Sequence, residues 1–159
     1  MTLSNFKRMI QLAEDVFAVK SDPDQLDIDQ QVMERLHRIH PSTVSEYDDG
    51  SVPVAWVLLI PTTLDLMNRF LAKEISEKEL FYLTPEDSAY DALYLCSALV
   101  LEEYRRQGIA KQLTLAAIKQ VRKGHPLKAL FVWAFSKEGD LGSETIARLT
   151  SLPLYKRLE

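Results

Sequence analysis

Ala98-Leu99-Val100-Leu101-Glu102-Glu103-Tyr104-Arg105-Arg106-Gln107-Gly108-Ile109-Ala110-Lys111 is the stretch from which the rest of the chain can be read. Leu93, Leu95, Leu99 and Val100 make an apolar run of strand length. After the basic turn, Ile109, Leu113, Ala117 and Val121 recur every fourth residue, the period of one helix face. The stretch therefore predicts a buried strand, a turn containing one glycine, and the first turn of an amphipathic helix. Such a junction aims unpaired backbone N–H groups and the positive end of the helix dipole at one spot, which favours a phosphate. Gly108 has no Cβ, so a ligand can come close to its backbone. Arg105, Arg106 and Lys111 add positive charge there, and the guanidinium fork matches phosphate oxygens.

Working outward, the helix after the turn has Arg122 and Lys123 in its last turn, Gly124 as its C-terminal cap and Pro126 beyond, a sequence of stop signals. Leu127 to Phe135 reads as a second buried strand. Strand, helix and strand form a βαβ unit, so the two strands are expected to be parallel with a right-handed crossover. Upstream, Thr43 to Tyr47, Asp48-Asp49-Gly50 and Val52 to Ile60 read as two strands joined by a tight turn. Residues 62–90 read as a helical insert, capped by Thr62 or Thr63, with Met67, Phe70 and Leu71 on its apolar side. Ser76-Glu77-Lys78-Glu79 reads as a capping box opening a second short helix. The N-terminal part reads as a helix from Ser4 to Val19, a turn from Ser21 to Asp29, and a second helix ending near Ile39 before Pro41. Ser136 to Gly142 is expected to be a loop and Ser143 onward a last helix. With no internal repeat or linker, residues 1–159 form one α/β domain with a mixed sheet flanked by helices.

The composition is that of an ordinary globular chain: 159 residues, 47% hydrophobic and 26% charged, with a net charge of −4. A pI near 5.4 speaks against a general nucleic-acid partner, because that function needs a broad basic face. A single cysteine, Cys96, excludes an intrachain disulfide and suits a reducing compartment. It reads as a small core hydrophobe rather than a nucleophile. No signal-like apolar region opens the chain and no run is long enough to span a membrane, so a cytoplasmic location without membrane partners is expected. His37 and His40 lie at a helix end and lack a third ligand at suggestive spacing, so no metal is expected.

Arg105-x-x-Gly108-x-Ala110, with Val100 at the strand end and Glu103-Tyr104 before it, resembles the acyl-CoA signature of the GNAT superfamily of N-acetyltransferases. The resemblance runs from about Leu93 to about Val132. It implies a GNAT-like fold in which the central strand and the next parallel strand splay apart to admit the pantetheine arm of acetyl-CoA. By resemblance, the backbone of Leu99 and Val100 pairs with pantetheine. Arg105, Arg106, Gln107, Gly108, Ile109, Ala110 and Lys111 surround the diphosphate. The implied reaction is acetyl transfer from acetyl-CoA, as cosubstrate, to a primary amine of an acceptor substrate. It requires a base, oxyanion donors and an acid for the leaving thiolate.

The acid in many members is a tyrosine in a C-terminal segment reading Leu-Tyr, two residues, Leu-Gly-Phe. Leu154-Tyr155-Lys156-Arg157-Leu158 matches its first half, so Tyr155 is the candidate. The base is left among several groups. The central-strand position where some members carry a glutamate holds Tyr94. The acidic alternatives are Glu46, Asp48 and Asp49, or Glu86, Asp87 and Asp91, or a chain of waters. Ser136 stands roughly where the family often has a CoA-contacting asparagine. Both termini read as shortened: the usual first strand is missing, and Glu159 falls where the last strand is expected to begin. So short a terminal segment points to support from a partner chain, as in a homodimer. The insert (62–90) is unusual for the family and its acidity favours a cationic acceptor. A CoA-binding regulatory module without catalysis is the alternative reading.

Overall fold

A computed structural model describes residues 30–50, 52–133 and 137–158. The expected helix from Ser4 to Val19, the turn after it and Ser136 lie outside the described residues. The described elements are α1 (Gln30–Ile39), β1 (Val44–Asp49), β2 (Val52–Thr62), α2 (Leu64–Leu71), α3 (Glu77–Leu83), β3 (Ala92–Val100), a 3-10 turn (Glu102–Tyr104), α4 (Ile109–Gly124), β4 (Ala129–Trp133), α5 (Lys137–Thr150) and β5 (Leu154–Arg157). The five strands form one sheet in the order β1-β2-β3-β4-β5. The β1–β2 and β2–β3 pairs are antiparallel, and the β3–β4 and β4–β5 pairs are parallel. The hairpin and the parallel βαβ unit thus stand as the sequence predicts.

Side chains alternate between the two faces of the sheet, and each face has its own core. Trp56, Leu58, Ile60, Tyr94, Leu99, Phe131 and Trp133 pack against α1, α2 and α3, through Leu36, Phe70 and Leu80 among others. Val57, Leu59, Leu93 and Leu130 pack against α4 and α5, through Ile118, Val121 and Ile146. Of the expected α4 face, Ile109, Ala117 and Val121 are buried and Leu113 is half-buried, while α1 buries Val32, Leu36 and Ile39.

The insert does not interrupt the sheet. Thr62 pairs with Ala92, so β2 and β3 are neighbours despite the two helices between them. The Thr63 hydroxyl caps α2 by accepting from the Leu66 N–H, and Ser76 and Glu79 form the expected capping box at α3. Arg35 of α1 holds the far end of the insert. Its guanidinium donates to the carbonyls of Tyr82 (3.0 Å) and Thr84 (2.8 Å) and pairs with Glu86.

Three expectations are corrected. Gly124 is the last residue of α4 and is not among the positive-φ glycines, which among the described residues are Gly50 and Gly108. His125, at φ −139°, follows it and turns the chain instead. α5 begins at Lys137, not at Ser143, so most of the expected loop is helix. The C-terminal segment is a strand: Leu154–Arg157 extends the sheet beside β4. Ser151, at φ +58°, and Pro153 end the preceding helix, and the open edge of β4 offers the next four residues backbone partners.

The histidines find a structural use. His40 meets His125, not His37, with ring centroids 5.5 Å apart. The Nδ1 atoms of these two accept from the backbone N–H groups of Ser42 (3.0 Å) and Tyr90 (3.2 Å). Burial, and then His125, lower the His40 pKa below its ordinary 6.5. The unfolded chain then takes up this proton first as the pH falls, so the contribution is intact above pH 6.5 and lost below it. Denaturant midpoints are expected to fall between pH 7 and pH 5.5, more steeply for the native chain than for His40→Asn, in which the amide oxygen can still accept from Ser42. Equal slopes in the two proteins would remove His40 from this role.

Candidate functional site

The parallel ladder between β3 and β4 is short. It pairs Ala92, Leu93 and Tyr94 with Ala129, Leu130 and Phe131 and then stops. β3 continues to Val100, held on its other side by β2, and β4 continues to Trp133, held by β5. A bulge marks the departure. Leu59 pairs with Leu95 and Leu58 with Ser97, leaving Cys96 over. An extra residue bends its strand and increases the local twist, which carries the second half of β3 away from β4. Among the described residues, the β3 backbone from Leu95 to Val100 has no partner strand on the side facing β4.

At the open end of this fork, β3 runs into the basic turn. Leu101 N–H donates to Val54 (2.9 Å), and the 3-10 turn follows. Arg106 at φ +66° and Gly108 at φ +76° then reverse the chain into α4. Ile109 is buried and roots the helix in the core. The backbone N–H groups from Arg106 to Lys111 find no acceptor among the described residues, whereas Gln112 N–H already donates to Gly108 (3.0 Å). They border a depression of about 130 Å³ lined by Val100, Tyr104, Arg105, Arg106, Gly108, Ile109, Ala110 and Lys111.

Side chains add to this arrangement unequally. Arg105 folds back so that its Nε donates to the Val100 carbonyl (3.0 Å), and Gln107 reaches the Glu103 carbonyl (3.4 Å). Arg106 and Lys111 are exposed and make no hydrogen bond or ion pair with the described residues. Tyr104 donates to Asp49, which ties the turn to the tip of the β1–β2 hairpin. Of the residues expected around a diphosphate, all but Gln107 line the depression. Val100 lines it too, while Leu99 is buried and faces the α1–α3 core.

The other candidates are scattered. Tyr155 is half-exposed and paired with Phe131, so β4 stands between it and the free edge of β3. Glu86 is held by Arg35 and Arg38, and Asp91 accepts from Leu64 N–H (2.8 Å), so both are committed to holding the insert. Glu46 accepts from Trp56 Nε1 (2.7 Å), and its pKa is raised by burial first, with Asp48 adding to the rise and Trp56 opposing it. It sits opposite Trp56, which pairs with Leu99, on the insert's side of the sheet. Cys96 is buried, in keeping with its reading as a core residue. Among the described residues, no three of His, Cys, Asp and Glu assemble a metal site, and no helix is long and apolar enough to cross a membrane.

Two side chains stand out that sequence reasoning did not single out. Glu77 counts as part of the insert's acidic surface in the sequence but is fully buried. Arg157 is 7% exposed. The only signal for Glu77 was its place in the first turn of a helix, where a carboxylate is usually solvent-facing. With Glu77 buried and Glu86 paired to arginines, Glu74, Glu79 and Asp87 are exposed carboxylates of the insert's acidic face.

The sheet is mixed and forks beside the N-terminus of α4. The chain belongs to the acetyltransferase (GNAT) family, whose profile matches residues 6–141. No curated protein matches it in sequence. Solved structures with a similar fold include the NatB acetyltransferase complex bound to a bisubstrate inhibitor (16% identity, TM-score 0.49, covering 84% of this chain and 66% of that one). Another is Naa20 of Chaetomium thermophilum in complex with a bisubstrate analogue (13%, 0.46, 87% and 65%). A third is the aminoglycoside acetyltransferase meta-AAC0020 from an uncultured soil metagenomic sample, in complex with trehalose (18%, 0.48, 92% and 79%). The chain spans just under two thirds of the length of the first two.

Gly108 can be tested for strain apart from ligand. A Cβ built there meets nothing within 4 Å, so only the positive φ opposes a side chain. Gly108→Ala is expected to cost about 1–2 kcal/mol of stability by denaturant unfolding. No loss would mean that the turn relaxes to another conformation.

Proposed function

We propose that the protein transfers an acetyl group from acetyl-CoA to a primary amine, with the pantetheine arm lying in the fork and the diphosphate at the turn before α4. The observation that carries this reading is the row of unsatisfied N–H groups from Arg106 to Lys111. The first N–H groups of a helix have no acceptor within it, and a helix N-terminus that leaves them open is suited to an anion. Arg106 and Lys111 contribute free cations to the same anion, and Arg105 has the rest of its guanidinium to offer. The free β3 edge from Leu95 to Val100 supports the second half of the reading, since an extended chain with amide groups can add to it as a strand does.

The chemistry asks for attack of a neutral amine on the thioester carbonyl. Glu46 is the carboxyl best suited to take the ammonium proton, because burial moves its pKa toward the operating pH. Tyr155 is assigned the proton that the leaving thiolate receives. The burial of Tyr94 beneath the insert, at the central-strand position where some members carry a glutamate, favours the second reading, a CoA-binding module without catalysis.

Calorimetry with acetyl-CoA separates a CoA-binding protein from a ligand-free one. Gly108→Glu, which places a carboxylate among the free amides, is expected to abolish binding while the protein stays folded; retained affinity would contradict the cradle. Thiol release measured against a panel of amines separates the two readings. An active amine establishes the transferase, and binding without thiol release across the panel establishes the module. For an active amine, Tyr155→Phe is expected to lower kcat by about 100-fold, the size of a lost proton donor, with unchanged acetyl-CoA affinity. An undiminished kcat would take Tyr155 out of the reaction.

A further inference from the structure

Two buried charged side chains stand at the root of the fork, one beside each prong. Glu77 opens α3 with no exposed surface, and its Oε2 accepts from the Tyr94 hydroxyl at 2.5 Å. Tyr94 is the last β3 residue paired with β4, and its ring stacks on that of its partner Phe131, with centroids 5.0 Å apart. Arg157 of β5 pairs with Trp133, the last residue of β4. Its guanidinium lies 4.7 Å from the centre of the Trp133 ring and 4.5 Å from that of Phe70. Nη1 donates to the carbonyl of Ile75 at 3.0 Å. The three residues Ile75, Ser76 and Glu77 therefore touch Tyr94 on the β3 side and Arg157 on the β4 side.

Stability does not account for this arrangement. Each buried ion carries a desolvation cost of several kcal/mol, and apolar residues of similar volume at such sites are often neutral or better. The Arg157 Nε is buried without a hydrogen-bond partner, a further cost. The groups are nevertheless close enough to act on one another. Burial, then Glu77, raise the Tyr94 pKa well above 10, and Arg157 partly offsets the rise. What fixed polar contacts supply, and apolar packing does not, is a single distance between the elements they join.

We infer that the Ile75–Glu77 segment, bonded to Tyr94 on one prong and to Arg157 above the other, is a strap that sets how far the fork opens. Glu77, Tyr94 and Arg157 are then positioning residues for the pantetheine arm. None of them lines the depression at the diphosphate turn. The inference rests on the acyl-CoA reading given above and adds to it a part for the insert.

The experiment compares two ligands on the intact protein by calorimetry. CoA occupies turn and fork, whereas ADP offers a diphosphate without pantetheine. Tyr94→Phe removes one bond of the strap, and Arg157→Met removes the other while keeping an apolar stem. Both variants are expected to weaken CoA by about tenfold or more, near 1.4 kcal/mol, and to leave ADP within about twofold. Glu77→Gln, which keeps an oxygen able to accept from Tyr94, is expected to retain CoA affinity. Unchanged CoA affinity in both Tyr94→Phe and Arg157→Met overturns the strap. Equal losses of CoA and ADP overturn it as well, because the residues would then only hold the fold together. Wild-type protein that binds neither ligand refutes the acyl-CoA reading itself, a different failure from either of these.

Discussion

Backbone pairing ends early between β3 and β4, and the rest of the molecule is arranged around that ending. A strand inside a sheet normally satisfies its donors and acceptors on both sides. Here β3 is paired along its whole length with β2 but with β4 only as far as Tyr94. The bulge at Cys96 bends β3 just beyond that rung, and β4 leaves in the company of β5. The gap between the strands is therefore built by geometry rather than by missing residues. It leaves a row of main-chain groups ready to pair with an extended ligand.

The two cores keep that gap from closing. On one face α4 packs across β2 and β3, and its N-terminus arrives at the end of β3 because Ile109 is buried there. This is why the turn of free amides and the free strand edge form one continuous backbone surface. On the other face the insert covers Tyr94, Phe131 and Trp133 with aromatic packing through Phe70. Glu77 and Arg157 are buried in that packing at an energetic cost. The insert is thus part of the wall against which the fork is held.

Acid–base groups are spread according to the same division. Carboxylates that bind arginines or cap helices, such as Glu86, Asp91 and Glu79, serve the insert. Glu46 remains on the hairpin, on the same face as Leu99, with its proton held more tightly by burial. Tyr155 joins the other side of the sheet through β5, in line with Phe131 and Tyr94. The proposed chemistry draws on both sides of the fork, and neither side is adjacent to the other in sequence.

Local signals were enough for the core of the fold. Continuous apolar runs placed β2, β3 and β4, the fourfold repeat from Ile109 placed α4, and Ser76 with Glu79 placed α3, because each is decided by residues within a turn or two of chain. The motif Arg105-x-x-Gly108-x-Ala110 was legible for the same reason, since a strand end, a positive φ and a helix start are neighbours in sequence. What only the tertiary structure decided were matters of partnership. Leu154–Arg157 is a strand because β4 has an open edge beside it, which no periodicity of four residues announces. Glu77 is buried where it accepts from the hydroxyl of Tyr94, seventeen positions away, and the His40 pKa is lowered by burial and then by His125. Burial and pairing over such distances follow from packing, and packing depends on the whole chain at once.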